Sequence, residues 1–365
     1  MKTKDNIQEE AGVALDKAVH GTAAMSVGSG KTRVGLKHME RQLKIAPDAT
    51  FLVVAPKKSI FRSWIEEAEE IGLTHLLDRI TFTTYLSLLK QSLDHRATYF
   101  DEGHSLLESH EPWLKAYKGI RIGLTGTPPK FLNSPRGRVF NRYIPVVYTY
   151  LTDTAIADKI LNNYSIVVHK LQLSKAKTIM AGKPPRQWLT SEQDSYDYWT
   201  NRVMNATGGK ERQIMSILRM KAIMDFPTKE KYVKKLMDMM MHKTIIFANT
   251  QVQAEKFGVP TYHSKNPDSE ENLEIFKEEE DGFLACVLQL NEGVNIPNLK
   301  CGIIMHSYGN ERKSAQRIGR LLRLMPDDQA TIHVLCYEDT VDQAWVKQAL
   351  EDYDQTKVKW IDAVT

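Results

Sequence analysis

Residues 25–32 read Met-Ser-Val-Gly-Ser-Gly-Lys-Thr, and this stretch decides the class of fold. It has the form of a loop that binds phosphate between a strand and a helix, because its glycines let backbone N–H groups turn toward the ligand. Lys31 would reach the β- and γ-phosphates of a nucleotide, and the Thr32 hydroxyl would bind Mg²⁺. The general pattern has glycine where this chain has Met25, so the entry into the loop departs from it. The candidate nucleotide-binding residues are Gly28, Ser29, Gly30, Lys31 and Thr32.

An acidic pair follows the strand-like run Ala97–Phe100 further along the chain. Asp101 would hold the metal together with Thr32, and Glu102 would orient an attacking water. An isolated Asp-Glu pair is usually solvated charge. In this order, and each after a predicted strand, the loop and the acidic pair predict an ATPase that uses ATP and Mg²⁺.

Composition sets the limits of the prediction. The length of 365 residues suits two domains, and 42% hydrophobic and 26% charged residues are ordinary for a globular protein. No apolar run approaches the ~20 residues that cross a membrane, and no apolar stretch follows the basic N-terminus to form a secretory signal. Cys286, Cys301 and Cys336 lack metal-ligand spacing, which favours reduced core residues of a cytosolic protein. The net charge of +4 permits a nucleic-acid partner.

The first part of the chain alternates strand-like and helix-like segments. Such buried strands with amphipathic helices between them predict a parallel sheet covered on both faces, with ligands beyond the carboxyl ends of the strands. The strand candidates are Thr22–Val27, Phe51–Ala55, Ile80–Thr84, Ala97–Phe100 and Arg121–Leu124, with helices such as Thr32–Lys44 and Ile60–Ile71 between them.

The pattern recurs in the second half, which has no second phosphate loop. We therefore predict an ATP-binding domain over residues 1–148 and a second α/β domain over 149–365, with a helical segment at about 191–241. That segment is rich in methionine and could form an adaptable surface for a partner, but packing of its helices on the second domain is the favoured interpretation. Its lysines, Lys229 among them, are more typical of a solvated helix face than of phosphate contacts.

With both halves placed, further motifs become recognisable, and the chain resembles superfamily 2 helicases and translocases over almost its full length. The motifs in order are Met25–Thr32, Val54–Ser59, Thr81–Tyr85, Asp101–His104, Leu124–Pro128, Ile245–Thr250, Leu290–Pro297 and Gln316–Arg323. The resemblance implies two tandem RecA-like domains, each with a largely parallel sheet flanked by helices.

The last motif is the most specific of the later ones. Arg320 and Arg323 are three residues apart and share a helix face, so both could reach the γ-phosphate from a facing domain as arginine fingers. A basic surface helix is the alternative explanation. By the family pattern, Gln316 and His104 help to couple the two domains.

The resemblance also implies contacts with the backbone of a nucleic acid, which use lysine, hydroxyl, amide and main-chain groups and read little sequence. These residues are Lys57, Lys58, Thr83, Thr84, Asn249, Thr250, Glu292 and Gly293. The acidic motif reads Asp-Glu-Gly-His, and Gln8 is the only nearby candidate for an adenine-reading glutamine, so the match to DEAD-box RNA helicases is poor. The later motifs look more like the DNA-acting branch with its compact phage UvsW-type helicases, which implies a host cytoplasm if the chain is phage-encoded.

We therefore expect an ATP-dependent helicase or translocase that moves on, unwinds or remodels DNA, either single-stranded or branched, without sequence specificity. One alternative is an RNA helicase. Another is a DNA-motor subunit that translocates without unwinding and acts through a partner.

Overall fold

The structure of the chain is a computed structural model. The structure describes residues 2–26, 28–287, 296–307, 328–351 and 353–363. The chain divides into two compact units, the first running to Asn163 and the second beginning at Tyr164. Within the described residues, no helix has the length and apolar character that crossing a membrane requires.

The first unit is built on a parallel sheet of six strands, counted over the described residues, in the order β3-β2-β4-β5-β1-β6. The strands are β1 (His20–Met25), β2 (Phe51–Ala55), β3 (Ile80–Thr84), β4 (Ala97–Asp101), β5 (Ile120–Thr125) and β6 (Val146–Tyr150). The helices are α1 (Lys4–Ala18), α2 (Lys31–Ile45), α3 (Ser59–Glu70), α4 (Glu111–Ala116), α5 (Pro135–Tyr143) and α6 (Thr152–Ala157). Every residue of β2 and β4 is buried, as expected for central strands covered on both faces.

Strand register brings the motifs of this unit to one edge of the sheet. Asp101 at the end of β4 pairs with Leu124 of β5, and Thr125 at the end of β5 pairs with Ala24 of β1. The strands are parallel, so the segments that follow β1, β4 and β5 all leave from the same carboxyl edge. At this edge a ligand is expected to bind.

The second unit holds a seven-stranded sheet, again over the described residues, in the order β11-β12-β10-β13-β14-β7-β15. Its strands are β7 (Asn163–Leu171), β10 (Thr244–Ala248), β11 (Thr261–Tyr262), β12 (Phe283–Val287), β13 (Cys301–Ile304), β14 (Gln329–Tyr337) and β15 (Val358–Asp362). Strands β8 (Ile179–Lys183) and β9 (Arg186–Thr190) form a separate antiparallel ribbon. The helices are α7 (Glu192–Met204), α8 (Gly209–Asp225), α9 (Pro227–Met237), α10 (Gln251–Glu255), α11 (Ser269–Glu278) and α12 (Val341–Leu350).

The two parallel-sheet units, each flanked by helices, match tandem RecA-like domains, as the sequence predicts. The sequence divides the chain after residue 148, whereas the first unit continues to Asn163 because β6 pairs with β1 and α6 follows it. The predicted helical segment contains α7, α8 and α9, and the buried side chains of α9 join the core of the second unit.

Two details concern single residues. The three cysteines are buried and form no disulfide among the described residues, as expected for core positions. Lys229 of α9, expected on a solvated helix face, is instead fully buried and pairs with Asp342 of α12 at 2.6 Å. The expectation was wrong because a run of lysines on one helix does not reveal which of them meets a distant carboxylate.

Candidate nucleotide-binding site

The phosphate loop forms a tight turn between β1 and α2. Gly28 and Gly30 have φ of 86° and 89°, a conformation that residues with a side chain rarely adopt. The Ser29 hydroxyl donates to the Ser26 carbonyl at 2.7 Å, and the Ser29 side chain is buried. The Lys31 ammonium lies 3.3 Å from that carbonyl oxygen, so its charge is held inside the turn.

Gln8 of α1 contacts this loop. Its amide nitrogen donates to the Ser29 carbonyl at 3.3 Å, and its side chain is buried. The backbone conformation of Gly30 favours glycine, and a Cβ there would displace the Gln8 amide that contacts the loop. The Gln8 carbonyl oxygen has no hydrogen-bond partner among the described residues. Gln8 could not be assigned to the site from the sequence, because its contact with the loop depends on how α1 packs.

Asp101 is a buried carboxylate with two fixed hydrogen bonds. It accepts from the Trp64 indole N–H at 2.8 Å and from the Glu102 backbone N–H at 2.9 Å. Burial raises the pKa of Asp101, while the Trp64 hydrogen bond and the Lys31 charge act in the opposite direction. A carboxylate has about four lone-pair positions, so two remain for a cation or water.

Trp64 links the acidic strand to the loop helix. It is fully buried on α3, and a Cβ on Gly35 of α2 would come within 2.7 Å of its ring. The ring therefore fills the space between α2 and Asp101. The only signal in the sequence was a tryptophan on the apolar face of a predicted helix, which is also the pattern of an ordinary core residue.

Glu102, His104 and two threonines form a connected polar group. Glu102 has a left-handed backbone with φ of 48°, which turns the chain sharply after β4. His104 Nδ1 lies 2.7 Å from the Thr125 hydroxyl and 3.3 Å from a Glu102 carboxylate oxygen. The Thr127 backbone N–H donates to the Thr125 hydroxyl at 3.1 Å. The structure thus joins the Asp101–His104 motif to the Leu124–Pro128 motif through side chains.

The predicted nucleic-acid contacts of the first unit lie at the same sheet edge. Lys57 and Lys58 are exposed between β2 and α3. Thr84 at the end of β3 is partly exposed, whereas Thr83 is buried, so its hydroxyl is less accessible. Thr32, in the first turn of α2, is partly exposed beside the loop.

In the second unit, Asn249 and Thr250 follow β10. The Thr250 hydroxyl caps α10 by accepting from Gln253, and the Gln253 side chain accepts from the Asn249 backbone at 2.9 Å. Gln253 thus fixes this turn, although the sequence did not single it out. The remaining predicted residues, Glu292, Gly293, Gln316, Arg320 and Arg323, lie outside the described residues.

No group of three or more His, Cys, Asp or Glu residues that could hold a metal occurs in the part of the chain that the structure describes. Mg²⁺ keeps several waters and needs only one or two protein ligands beside phosphate oxygens. Thr32 and Asp101 are residues of that kind.

Two family models match the chain, one in each half. Residues 2–130 match the model described as type III restriction enzyme, res subunit, and residues 228–325 match the helicase conserved C-terminal domain. The chain belongs to the superfamily 2 helicases and translocases. The two domains imply ATP hydrolysis, so the enzyme is an ATPase of this superfamily.

One sequence relative supports the same grouping, and one solved structure shares the fold. The chain is 25% identical over 360 residues to XPB2, a DNA 3'-5' translocase of Sulfurisphaera tokodaii, covering 90% of this chain and 80% of the relative. Among solved structures, a fragment of a putative HsdR subunit of a type I restriction enzyme from Vibrio vulnificus matches with a TM-score of 0.61 and 17% identity, covering 99% of this chain and 72% of that one.

Two further structures share the fold. The type ISP restriction-modification enzyme LlaBIII, solved bound to DNA, matches with a TM-score of 0.63 and 14% identity. The match covers 100% of this chain and 31% of the LlaBIII chain. Dbp5 of S. cerevisiae, bound to RNA and ADP BeF3, matches with a TM-score of 0.59 and 14% identity over 98% of this chain and 89% of that one.

Proposed function

We propose that this superfamily 2 enzyme is an ATP-dependent helicase or translocase that acts on DNA. One observation carries the proposal: the turn that holds Lys31 and the carboxylates of Asp101 and Glu102 leave the same edge of one parallel sheet. DNA as the polymer is supported by the relative XPB2, a DNA 3'-5' translocase. It is also supported by the type III restriction model, which covers most of the first unit.

In the proposed site, Gly28–Thr32 cradle the phosphates of ATP and Lys31 faces the β- and γ-phosphates. Thr32 and Asp101 would hold Mg²⁺, which when bound neutralises charge that develops on the phosphate oxygens. Glu102 orients the attacking water, and its contact with His104 fixes the direction of the carboxylate. The residues fit this role, because Gly28 and Gly30 hold the turn in a left-handed backbone conformation that favours glycine, and Asp101 keeps lone pairs for a cation.

The rest of the proposal depends on the motif resemblance. Arg320 and Arg323 act on the γ-phosphate, and Gln316 acts with them. The nucleic-acid backbone is contacted by the residues already named in both units, Lys57 and Lys58 included. The resemblance to UvsW-type helicases favours branched DNA and a phage-encoded enzyme in a host cytoplasm, and the relative XPB2 favours movement from 3' to 5'.

Steady-state ATP hydrolysis tests the proposal. The rate is measured without nucleic acid and then with single-stranded DNA, duplex DNA, branched DNA and RNA. DNA should stimulate hydrolysis more than RNA, and branched DNA at least as much as single strands. Binding should weaken steeply with salt, since phosphate contacts dominate. Stimulation by RNA but by no form of DNA would overturn the choice of polymer and leave the ATPase assignment standing.

A further inference from the structure

The segment of residues 174–190, which we name the basic ribbon, carries positive charge without any compensating acid. It contains Lys175, Lys177, Lys183 and Arg186, and no Asp or Glu stands between Leu171 and Glu192. None of the four basic side chains forms an ion pair with a residue that the structure describes. All four are exposed. The ribbon is therefore a concentrated patch of free cationic groups.

The base of the basic ribbon is fixed to the second unit. Glu192, the first acid after it, is fully buried and accepts from the Ser174 backbone N–H at 2.9 Å. The same carboxylate accepts from the Thr228 backbone N–H and hydroxyl, each at 2.9 Å, which ties the ribbon to α9. Ile179 packs against the core of this unit. Glu192 thus anchors the ribbon, and its own charge is used at the base, so the four cations of the ribbon stay uncompensated at the surface.

The outer part of the ribbon presents an aromatic ring next to these charges. Trp188 is 59% exposed, so much of its indole ring is accessible to a ligand. Register places Ala181 opposite Trp188 and Lys183 opposite Arg186. Since cross-strand partners share a face, and residues two apart along a strand share one too, Trp188 lies on the same face as Lys183 and Arg186.

The position of the ring is set by glycine. Gly182 has φ of 85°, and a Cβ placed on it would come within 2.7 Å of the Trp188 ring. The indole therefore packs against bare backbone, which limits its motion while leaving much of its surface open. A held aromatic ring with cations beside it is the arrangement on which single-stranded nucleic acids bind, with bases stacked on the ring and phosphates at the cations.

We propose that the basic ribbon binds a single strand of nucleic acid, with Trp188 stacking on an unpaired base and Lys183 and Arg186 contacting phosphates. This inference rests on the proposed function, which supplies nucleic acid as the ligand. It adds a contact site that lies outside the superfamily motifs. Charge selects the occupant, because a phosphate backbone complements a patch that has four cations and no acid. Duplex DNA offers no free base face, so the stacking contact is specific for single strands.

Trp188→Ala is the deciding variant, and affinity for a fluorescently labelled oligo-dT strand is the measurement. Loss of one stacked base should weaken binding about fivefold to hundredfold, whereas affinity for duplex DNA of equal length should stay within about twofold. Trp188→Phe should keep most of the affinity, because phenylalanine also stacks. Leu189→Ala is the matched control: Leu189 is a neighbouring side chain on the other face of the ribbon, 54% exposed, and its loss should have little effect.

The charges are tested separately. With Lys183 and Arg186 both changed to Ala, the slope of log affinity against log salt should become shallower by about 1.4 for a single strand, as expected for two lost phosphate contacts. If Trp188→Ala binds the strand as wild type does, or if Leu189→Ala weakens binding equally, the ribbon proposal is wrong while the proposed function stands. If the wild-type protein binds no nucleic acid, both fail.

Discussion

Replacement of Lys229 by methionine tests a buried ion pair that holds the second unit together. The Lys229 ammonium is fully buried, lies 2.6 Å from an Asp342 carboxylate oxygen, and donates to the carbonyls of Met305 at 2.7 Å and Leu335 at 3.1 Å. Methionine has a similar length and fills the same space, so the variant removes the charge and its hydrogen bonds with little change in packing. Three buried acceptors then lose their donor.

The size of the stability loss follows from the interactions that Asp342 keeps in the variant. Asp342 keeps a hydrogen bond from the Tyr337 backbone N–H at 3.0 Å but loses its counter-charge in a buried position. Breaking a buried pair by removing one partner costs about 3–5 kcal/mol. A typical domain has a free energy of unfolding of about 5–15 kcal/mol, so the loss is a large part of the total.

Urea unfolding of the full chain, followed by circular dichroism, measures this change in free energy. Lys231→Met is the control, because Lys231 is exposed on the same helix and its replacement should change stability by no more than about 0.5 kcal/mol. The double variant Lys229→Met with Asp342→Asn should recover most of the loss, since no unpaired charge is then buried. If Lys229→Met unfolds at the same urea concentration as Lys231→Met, the reasoning about the buried pair is refuted.

Four other perturbations address the site and the second unit. The Glu102→Gln variant should bind nucleotide yet hydrolyse it slowly, and the Lys31→Ala variant should not turn over ATP. A nucleotide-binding assay and a phosphate-release assay separate these two effects. Turnover at the wild-type rate in either variant would mean that the site is misassigned. Gln8→Ala removes a buried hydrogen bond to the loop and should weaken nucleotide binding by about 1 kcal/mol, or roughly fivefold; unchanged affinity would remove Gln8 from the site. Burial lowers the pKa of His169 and of His333 to about 4, below the ordinary value of about 6.5, so the unfolded chain takes up more protons in that range. The stabilisation that comes from keeping these two histidines neutral should be complete above about pH 6.5 and should fall as pH decreases toward 4. The urea concentration at the unfolding midpoint, measured across this pH range, checks this prediction. A midpoint that does not change with pH would contradict it.

The sequence predicted the central strands well and the peripheral elements poorly. Strands β2 and β4 begin where the apolar runs place them, because strands inside a parallel sheet are buried on both faces. The edge elements β6 and β15 and the ribbon were not predicted. Strand β15 has only five residues, and adjacent Trp360 and Ile361 break its alternation of apolar and charged residues. The ribbon is interrupted by Gly182 and by Pro184-Pro185, so neither segment gives a periodic signal.

For the candidate site, the sequence identified residues that carry their own pattern and missed those that depend on packing. Lys31 and Asp101 stand in motifs whose spacing is visible in the chain. Trp64 and Gln8 touch the same site from α3 and α1, and their contacts exist only once those helices lie against the sheet. Lys229 was misread for the same reason, because its partner Asp342 belongs to another helix far along the chain.

The central claim is that this ATPase couples hydrolysis to movement along DNA. The most direct test of this claim is the rate of ATP hydrolysis on DNAs of increasing length, each at a saturating concentration of DNA ends. An enzyme that moves stays longer on longer DNA before it reaches an end, so the rate per enzyme should rise with length and then level off. A rate that DNA stimulates equally at every length, or that no DNA stimulates, would contradict the claim.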